Sequence, residues 1–196
     1  MNHPAKLACI AALAMLSACA GAPPVRYFTL DDGRPPLSRS STTPGIAVIR
    51  AQLPDLIDRS RLVLRTEGNH LTLSDQYRWA EPLRREIPRL IAKDLGELLD
   101  SSRVAALPAE DAGFAVDFKL ALDFQQFDAV VGQGVDVDVL WRIEHRSGKS
   151  IVGRSSFRQP LSGAANDIPT VVSAQRQALR RVATEIAKDI AALTQS

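Results

Sequence analysis

Cysteine is nearly absent from this chain. Of 196 residues only Cys9 and Cys19 carry a thiol, both within the first twenty positions. Everything downstream folds without a disulfide, a thiol nucleophile or a cysteine metal ligand, so core packing has to hold it together. Histidine is as scarce: beyond residue 18 there are only His70 and His145. His70 falls in a Gly-Asn turn and reads as solvated, and His145 ends an alternating run and reads as a strand-end residue. Neither has the sequence neighbours that a general base or a metal site calls for. A surplus of one charge is missing too. The 24 basic and 22 acidic side chains leave a formal +2, too little to displace counterions from a nucleic acid. There is no Walker loop, dinucleotide fingerprint, zinc motif or nucleophile elbow, and Gly132-Gln133-Gly134 lacks the strand-turn-helix setting of a phosphate loop. Asp136 and Asp138 share one strand face without a histidine nearby and read as solvent-facing acids. The expectation is a protein that is not an enzyme, with no cofactor and no metal. A lipid-modifying hydrolase would need a nucleophile-base set that the sequence does not display.

Long apolar runs are also missing, with one exception. Lys6 is followed by the uncharged stretch Leu7–Leu16 and then by small residues up to Cys19. This is the layout of a secretory signal, with an apolar segment too short to span a bilayer comfortably. Its ending, Leu16-Ser17-Ala18-Cys19, resembles the lipobox of bacterial lipoproteins, in which the cysteine thiol is acylated and the chain is cut just before it. The residue types fit that chemistry: small side chains admit a membrane-embedded peptidase, and only a thiol forms the thioether. Residues 1–18 are therefore expected to be a signal peptide, 19–24 a lipidated cysteine with a very short tether, and 25–196 one folded domain. An apolar share of 45% against 23% charged residues is enough for that domain to bury a real core.

The body reads as strands, then a helix, then strands, then a helix. Arg26–Leu30 is a first strand and Asp31–Pro44 a Pro/Ser/Thr-rich loop. Ile46–Ile49 is a second short strand, and Leu56-Ile57-Asp58 a single turn after Pro54-Asp55. Leu62–Arg65 and Leu71–Leu73 flank Gly68-Asn69 as a hairpin. From Trp79 the period changes: Trp79, Leu83, Ile87, Leu90, Ile91, Leu95 and Leu98 mark an amphipathic helix to about Asp100. Glu81 is its expected cap, Pro82 its first residue, and Pro88 a break in its hydrogen bonding. Arg84, Arg85, Arg89 and Lys93, diluted by Glu86, Asp94 and Glu97, predict a solvated, salt-bridged outer face. Val104–Leu107 is a short strand. Phe114 to Phe124 alternates strictly, and Val135 to Ile143 resumes the alternation after a connection at Phe127–Gly134. Ser150–Arg158 completes a meander. Asp167 caps a last helix with the stripe Val172, Leu179, Val182, Ile186, Ile190 and Leu193. The fold class expected is α/β or α+β: one domain, a mixed and largely antiparallel sheet, and two long amphipathic helices on it. Phe114, Phe118, Phe124 and Trp141 read as core in preference to a lipid cavity. Phe127, Val130 and Val131, near a hairpin tip, are the candidate partner contact.

Tyr27-Phe28-Thr29-Leu30 soon after a lipidated cysteine, Leu53-Pro54-Asp55-Leu56-Ile57-Asp58-Arg59, and Arg78-Trp79-Ala80-Glu81-Pro82-Leu83 opening a helix together resemble the ABC-type transport auxiliary lipoproteins, relatives of paraquat-inducible protein C. The resemblance covers essentially the whole mature chain. It implies a non-enzymatic lipoprotein, held in the outer membrane by its lipid and facing the periplasm. It would serve a transporter of lipids or other hydrophobic molecules that also contains a permease, an ATPase and a mammalian-cell-entry-domain protein, and it would support envelope integrity. Ala20 does not match the aspartate that often retains lipoproteins in the inner membrane. A homo-oligomer is compatible with such a role, and the competing class is a structural or assembly lipoprotein of another envelope machine.

Overall fold

The computed structural model describes residues 23–35, 43–66, 68–106, 108, 111–164 and 167–194. The expected signal peptide, Cys19 and Ala20 lie outside the described residues. Among the described residues, eight strands and two helices follow in the order β1 (Arg26–Phe28), β2 (Ile46–Gln52), β3 (Arg61–Arg65), β4 (Leu71–Trp79), α1 (Leu83–Leu98), β5 (Val104–Ala105), β6 (Phe118–Val130), β7 (Gly134–His145), β8 (Ser150–Gln159) and α2 (Ile168–Thr194).

Strand β6 is the spine of the sheet. Antiparallel β7 runs along one edge from Phe118↔His145 to Val130↔Gly134, and β8 continues the meander beyond it. The other edge is shared: parallel β2 takes the first half of β6, and parallel β3 takes Ala129 and Val130 at its end. Beyond β2 lies β5; beyond β3 lie β4 and then β1. The sheet is mixed as expected, but its balance differs from a largely antiparallel one. Four pairings are parallel (β1/β4, β2/β5, β2/β6, β3/β6) and three antiparallel, although the two longest ladders are antiparallel.

Both helices cover the same face. Phe118, Leu120, Leu122 and Phe124 on β6 and Val135, Val137, Val139, Trp141 and Ile143 on β7 join Ile87, Ile91 and Leu95 of α1 and Leu179, Val182 and Ile186 of α2 in one core. The alternate residues Asp136, Asp138, Arg142 and Glu144 look out from the other face, so the domain has two layers. The face Phe114–Trp141 is thus largely core, as read from the alternation, though regular pairing begins only at Phe118.

Three boundaries differ from the sequence reading, each for a local reason. Strand β6 does not stop at Phe124. The register shifts between Phe124 and Gln126, a bulge that reverses which parity faces inward. Phe127 therefore re-enters the core where strict alternation from Phe124 puts Gln126. Trp79 closes β4 instead of opening the helix: its N–H reaches the Ser60 carbonyl at 2.8 Å and its ring is buried. The helix starts after Pro82, which takes the N-cap position in extended geometry; Pro88 lies inside an unbroken α1. The Asp167 cap is formed, its Oδ2 accepting the Thr170 N–H at 3.1 Å.

Close packing at β8 gives a direct test. Gly153 faces Trp141 across the ladder, and a Cβ there would lie 2.3 Å from indole atoms. The buried indole is held from the other side, its Nε1–H donating to Asp189 of α2 at 2.8 Å. Gly153→Ala therefore has to displace a fixed ring, and a loss of about 1–3 kcal/mol is expected from such overpacking. Urea unfolding followed by tryptophan fluorescence measures it, and an unchanged midpoint would show that the indole has room to yield.

Candidate functional site

The segment that follows the tether is fastened to α1 by a buried carboxylate. Strand β1 itself is only three residues long, pairing in parallel with Tyr77–Trp79 of β4. Directly after it the chain turns along α1, and Glu86, fully buried, receives it. Its Oε1 accepts the Leu30 N–H at 2.8 Å, the Asp31 N–H at 3.1 Å and the Thr29 hydroxyl. Two turns further, the ammonium of Lys93 donates to Asp31 at 2.9 Å and to Asp32 at 3.1 Å, and Asp32 also takes Arg34. Within the Tyr27-Phe28-Thr29-Leu30 stretch, Thr29 and Leu30 thus present a hydroxyl and an amide to one carboxylate.

The electrostatics follow this geometry. The hydrogen bond from Lys93 holds the Asp31 carboxyl below the usual carboxylate range, against the opposing pull of desolvation. That from Arg34 does the same, more strongly, for Asp32. Burial lowers the Lys93 ammonium, but its hydrogen bonds to Asp31 and Asp32 outweigh that and raise it overall.

A second buried acid on α1 fixes the other helix. Asp94, with no exposed surface, takes both terminal nitrogens of Arg176, at 2.5 and 2.6 Å, and Arg180 at 3.2 Å. Arg180 also reaches Glu97. This corrects the reading of α1 as carrying only a solvated charged face. Arg84–Asp58, Arg89–Glu81 and the Lys93 pairs do form such a face, but Glu86 and Asp94 belong to the interior. Four-residue spacing through buried Leu90 is the signal that could have found them, since 86, 90 and 94 share one helical row. A cleft of about 430 Å³ separates the Phe28–Asp32 segment and Arg34 from Val172, Ser173, Arg176 and Gln177 of α2.

The other sequence candidates are scattered over the domain. Phe127 and Val130 are buried and Val131 half-buried, so of the three residues expected as a partner contact at the β6–β7 tip the first two pack inward. The bulge turns Phe127 inward, and the connection shrinks to Val131-Gly132-Gln133. Asp136 and Asp138 pair with Arg158 and Arg154 across the open sheet face, consistent with solvent-facing acids. His145 Nδ1 lies 2.8 Å from the Ser147 hydroxyl within the β7–β8 turn. The nearby Asp117 is engaged by the Gly45 N–H and by Arg146. Among the described residues no group of three His, Cys, Asp or Glu side chains could hold a metal ion, and no helix is long and apolar enough to cross a membrane.

What fold and site define is a two-layer α+β domain whose first strand, close to the chain's N-terminal segment, is locked to a helix from within. The family described as ABC-type transport auxiliary lipoprotein component matches residues 28–187, and the chain belongs to it. Among solved structures, an uncharacterized protein is similar over 86% of this chain and 99% of its own, with TM-score 0.70 and 17% identity. A Xanthomonas campestris protein of the DUF330 family is similar over 84% and 90%, with TM-score 0.55 and 23% identity. At these identities both support the fold. A search of curated proteins found no match.

The clasp makes two measurable demands. Glu86→Ala leaves the Leu30 and Asp31 amides without an acceptor, and a loss of about 2–6 kcal/mol is expected at roughly 1–3 per stranded buried donor. Hydrogen exchange should show the Leu30 and Asp31 amides exchanging faster than those of β6. Because the folded Asp31 and Asp32 carboxyls are depressed, their contribution is complete above the ordinary aspartate value. It fades as pH falls below about 4. Lys93→Ala should flatten the acid limb of the stability profile, and an identical acid limb in the variant would count against the pairing.

Proposed function

We propose that this lipoprotein is anchored in the outer membrane through acylated Cys19, faces the periplasm, and serves as a non-enzymatic accessory to an ABC-type system carrying lipids or other hydrophobic molecules between the membranes. Its partner in that system is a mammalian-cell-entry-domain protein, and the assembly supports envelope integrity. The observation that carries the reading is family membership over residues 28–187 in a chain whose leader ends in Leu16-Ser17-Ala18-Cys19. Ala20, in place of a retention aspartate, favours the outer membrane. The clasp by Glu86 supports the mechanical side of the role. Six residues after Cys19 the chain reaches Val25, so an acyl anchor holds the domain within roughly 20 Å of the bilayer at 3.3–3.6 Å per residue.

Several acyl chains, at about 0.8 kcal/mol per buried methylene, make such attachment effectively permanent. Cys19→Ala is therefore expected to leave the thermal midpoint of the domain unchanged, move it from the membrane to the soluble periplasmic fraction, and abolish function in the envelope. A fully active soluble variant would sink the anchoring role. Crosslinking in intact cells followed by purification is expected to recover a mammalian-cell-entry-domain protein. Consistent recovery of components of some other envelope machine would instead favour a structural or assembly lipoprotein, and the same crosslinks report whether the domain self-associates.

A further inference from the structure

The sheet surface beside the tether carries a row of unlike purpose from the rest of the open face. In register, Tyr27 of β1 lies opposite Arg78 of β4, and Arg78 lies opposite Arg61 of β3. Alternation sends these three side chains to the face away from buried Trp79 and from Phe28, which packs toward the core. Val25, two residues before Tyr27, is exposed as well. Two features of this row are costly unless something answers them. Arginines directly opposite each other on a sheet repel; Arg61 has an outward ion pair with exposed Asp75 at 2.9 Å, whereas the Nε of Arg78 is buried without any hydrogen-bond partner. Beside them stand two of the most exposed large apolar side chains of the domain, Tyr27 at 66% and Val25 at 41%.

We propose that this row is a membrane contact: Tyr27 and Val25 sit in the interfacial region of the bilayer, and Arg78 with Arg61 takes the phosphate of an anionic phospholipid. The contact rests on the anchoring proposed for Cys19, because an acylated cysteine six residues before Val25 keeps β1, and β4 and β3 beside it, within reach of the headgroups. An aromatic ring with a polar tip suits that boundary, and guanidinium forks suit phosphate oxygens. The short tether supplies a high effective concentration, so a contact too weak to recruit a free protein still orients a tethered one. The domain would then stand on its β1 edge, with both helices and the β6–β8 meander directed away from that contact.

The test uses the full chain with Tyr27→Trp as reporter, since Trp79 and Trp141 are both only 4% exposed. In vesicles of phosphatidylethanolamine with phosphatidylglycerol, bromine-labelled lipid should quench the introduced indole, and aqueous iodide should not. In a Cys19→Ala background, partition to these vesicles should weaken roughly fivefold for each of Arg61→Gln and Arg78→Gln, the scale for one basic residue at an anionic surface, and vesicles without phosphatidylglycerol should show no such difference. Arg61 is half-exposed, so its variant keeps the test valid if Arg78→Gln misfolds. A reporter indole equally open to iodide with and without vesicles would overturn the proposal. So would protection that appears only in native envelopes containing a protein partner. Intact mass reads acylation of Cys19 separately, so failure of the anchor and failure of the contact give different results.

Discussion

Helix α1 buries two carboxylates, and the arrangement of the rest of the domain is the set of groups that answer them. An isolated ionised carboxylate in a protein interior costs several kcal/mol even after relaxation. Glu86 and Asp94 are tolerable only because donors converge on them. The donors at Glu86 come from the first few residues of the folded body; those at Asp94 come from α2, more than eighty residues later in sequence. One helix thereby sets the position of both ends of the domain. The energetics are asymmetric: Asp94 exchanged together with its arginines for apolar residues would cost little, whereas loss of the donors alone strands a buried charge, and at Glu86 two of the donors are main-chain amides that no substitution removes. These interactions specify where α2 and β1 sit more than they add to net stability.

That asymmetry also determines how force from a lipid anchor would enter the fold. Strand β1 is an edge strand with three residues of parallel pairing, and ladder hydrogen bonds contribute only about 1 kcal/mol each in net terms. Hydrogen bonds to a charged acceptor are worth roughly 1.5–3 kcal/mol, and Glu86 accepts from Thr29, Leu30 and Asp31. The clasp therefore outweighs the strand it follows. Tension along the tether meets the three-residue β1 pairing first; once that yields, the clasp at Thr29–Asp31 holds the chain to α1, and through Asp94 the load reaches α2.

The period-two and period-3.6 patterns are legible in the sequence because burial here is one-sided: each strand shows a single apolar face and each helix a single stripe. They yield the α+β class, the β3–β4 hairpin, the β6–β8 meander and the Asp167 cap. Two kinds of feature escape such a reading. The bulge at Gln125–Gln126 changes parity within one strand, and no composition signal distinguishes that from the end of a strand, so sequence alone puts Phe127 on the surface. Glu86 and Asp94 escape because charged residues near an apolar stripe ordinarily point outward; only the donors, distant in sequence, reveal that they do not. The family motifs hold more than their hydrophobicity suggests. Phe28 in the first motif pairs with Trp79 in the last, and the next residue, Thr29, gives its hydroxyl to Glu86 of α1, so the two motifs set the path of the chain at the junction of β1, β4 and α1.

The two faces of the sheet divide the work between folding and contact. The inner face is saturated: Trp141, Phe124 and Phe127 are buried, and Gly153 is kept free of a side chain so that the indole fits. A cavity for a transported hydrophobic molecule would have to be opened at the expense of that packing. At roughly 24 cal/mol per Å³ of cavity, even a site of about 300 Å³, the small end for a bound ligand, would cost on the order of 7 kcal/mol. That is comparable with the entire stability of an ordinary domain. Carriage of cargo inside the core is therefore disfavoured by magnitude, and what remains for the domain to offer is surface: the clefts at its margins, the charged open face, and the edge held nearest the anchor. In an accessory to a transporter, those features suit a part that positions other components relative to a membrane better than one that holds the cargo itself.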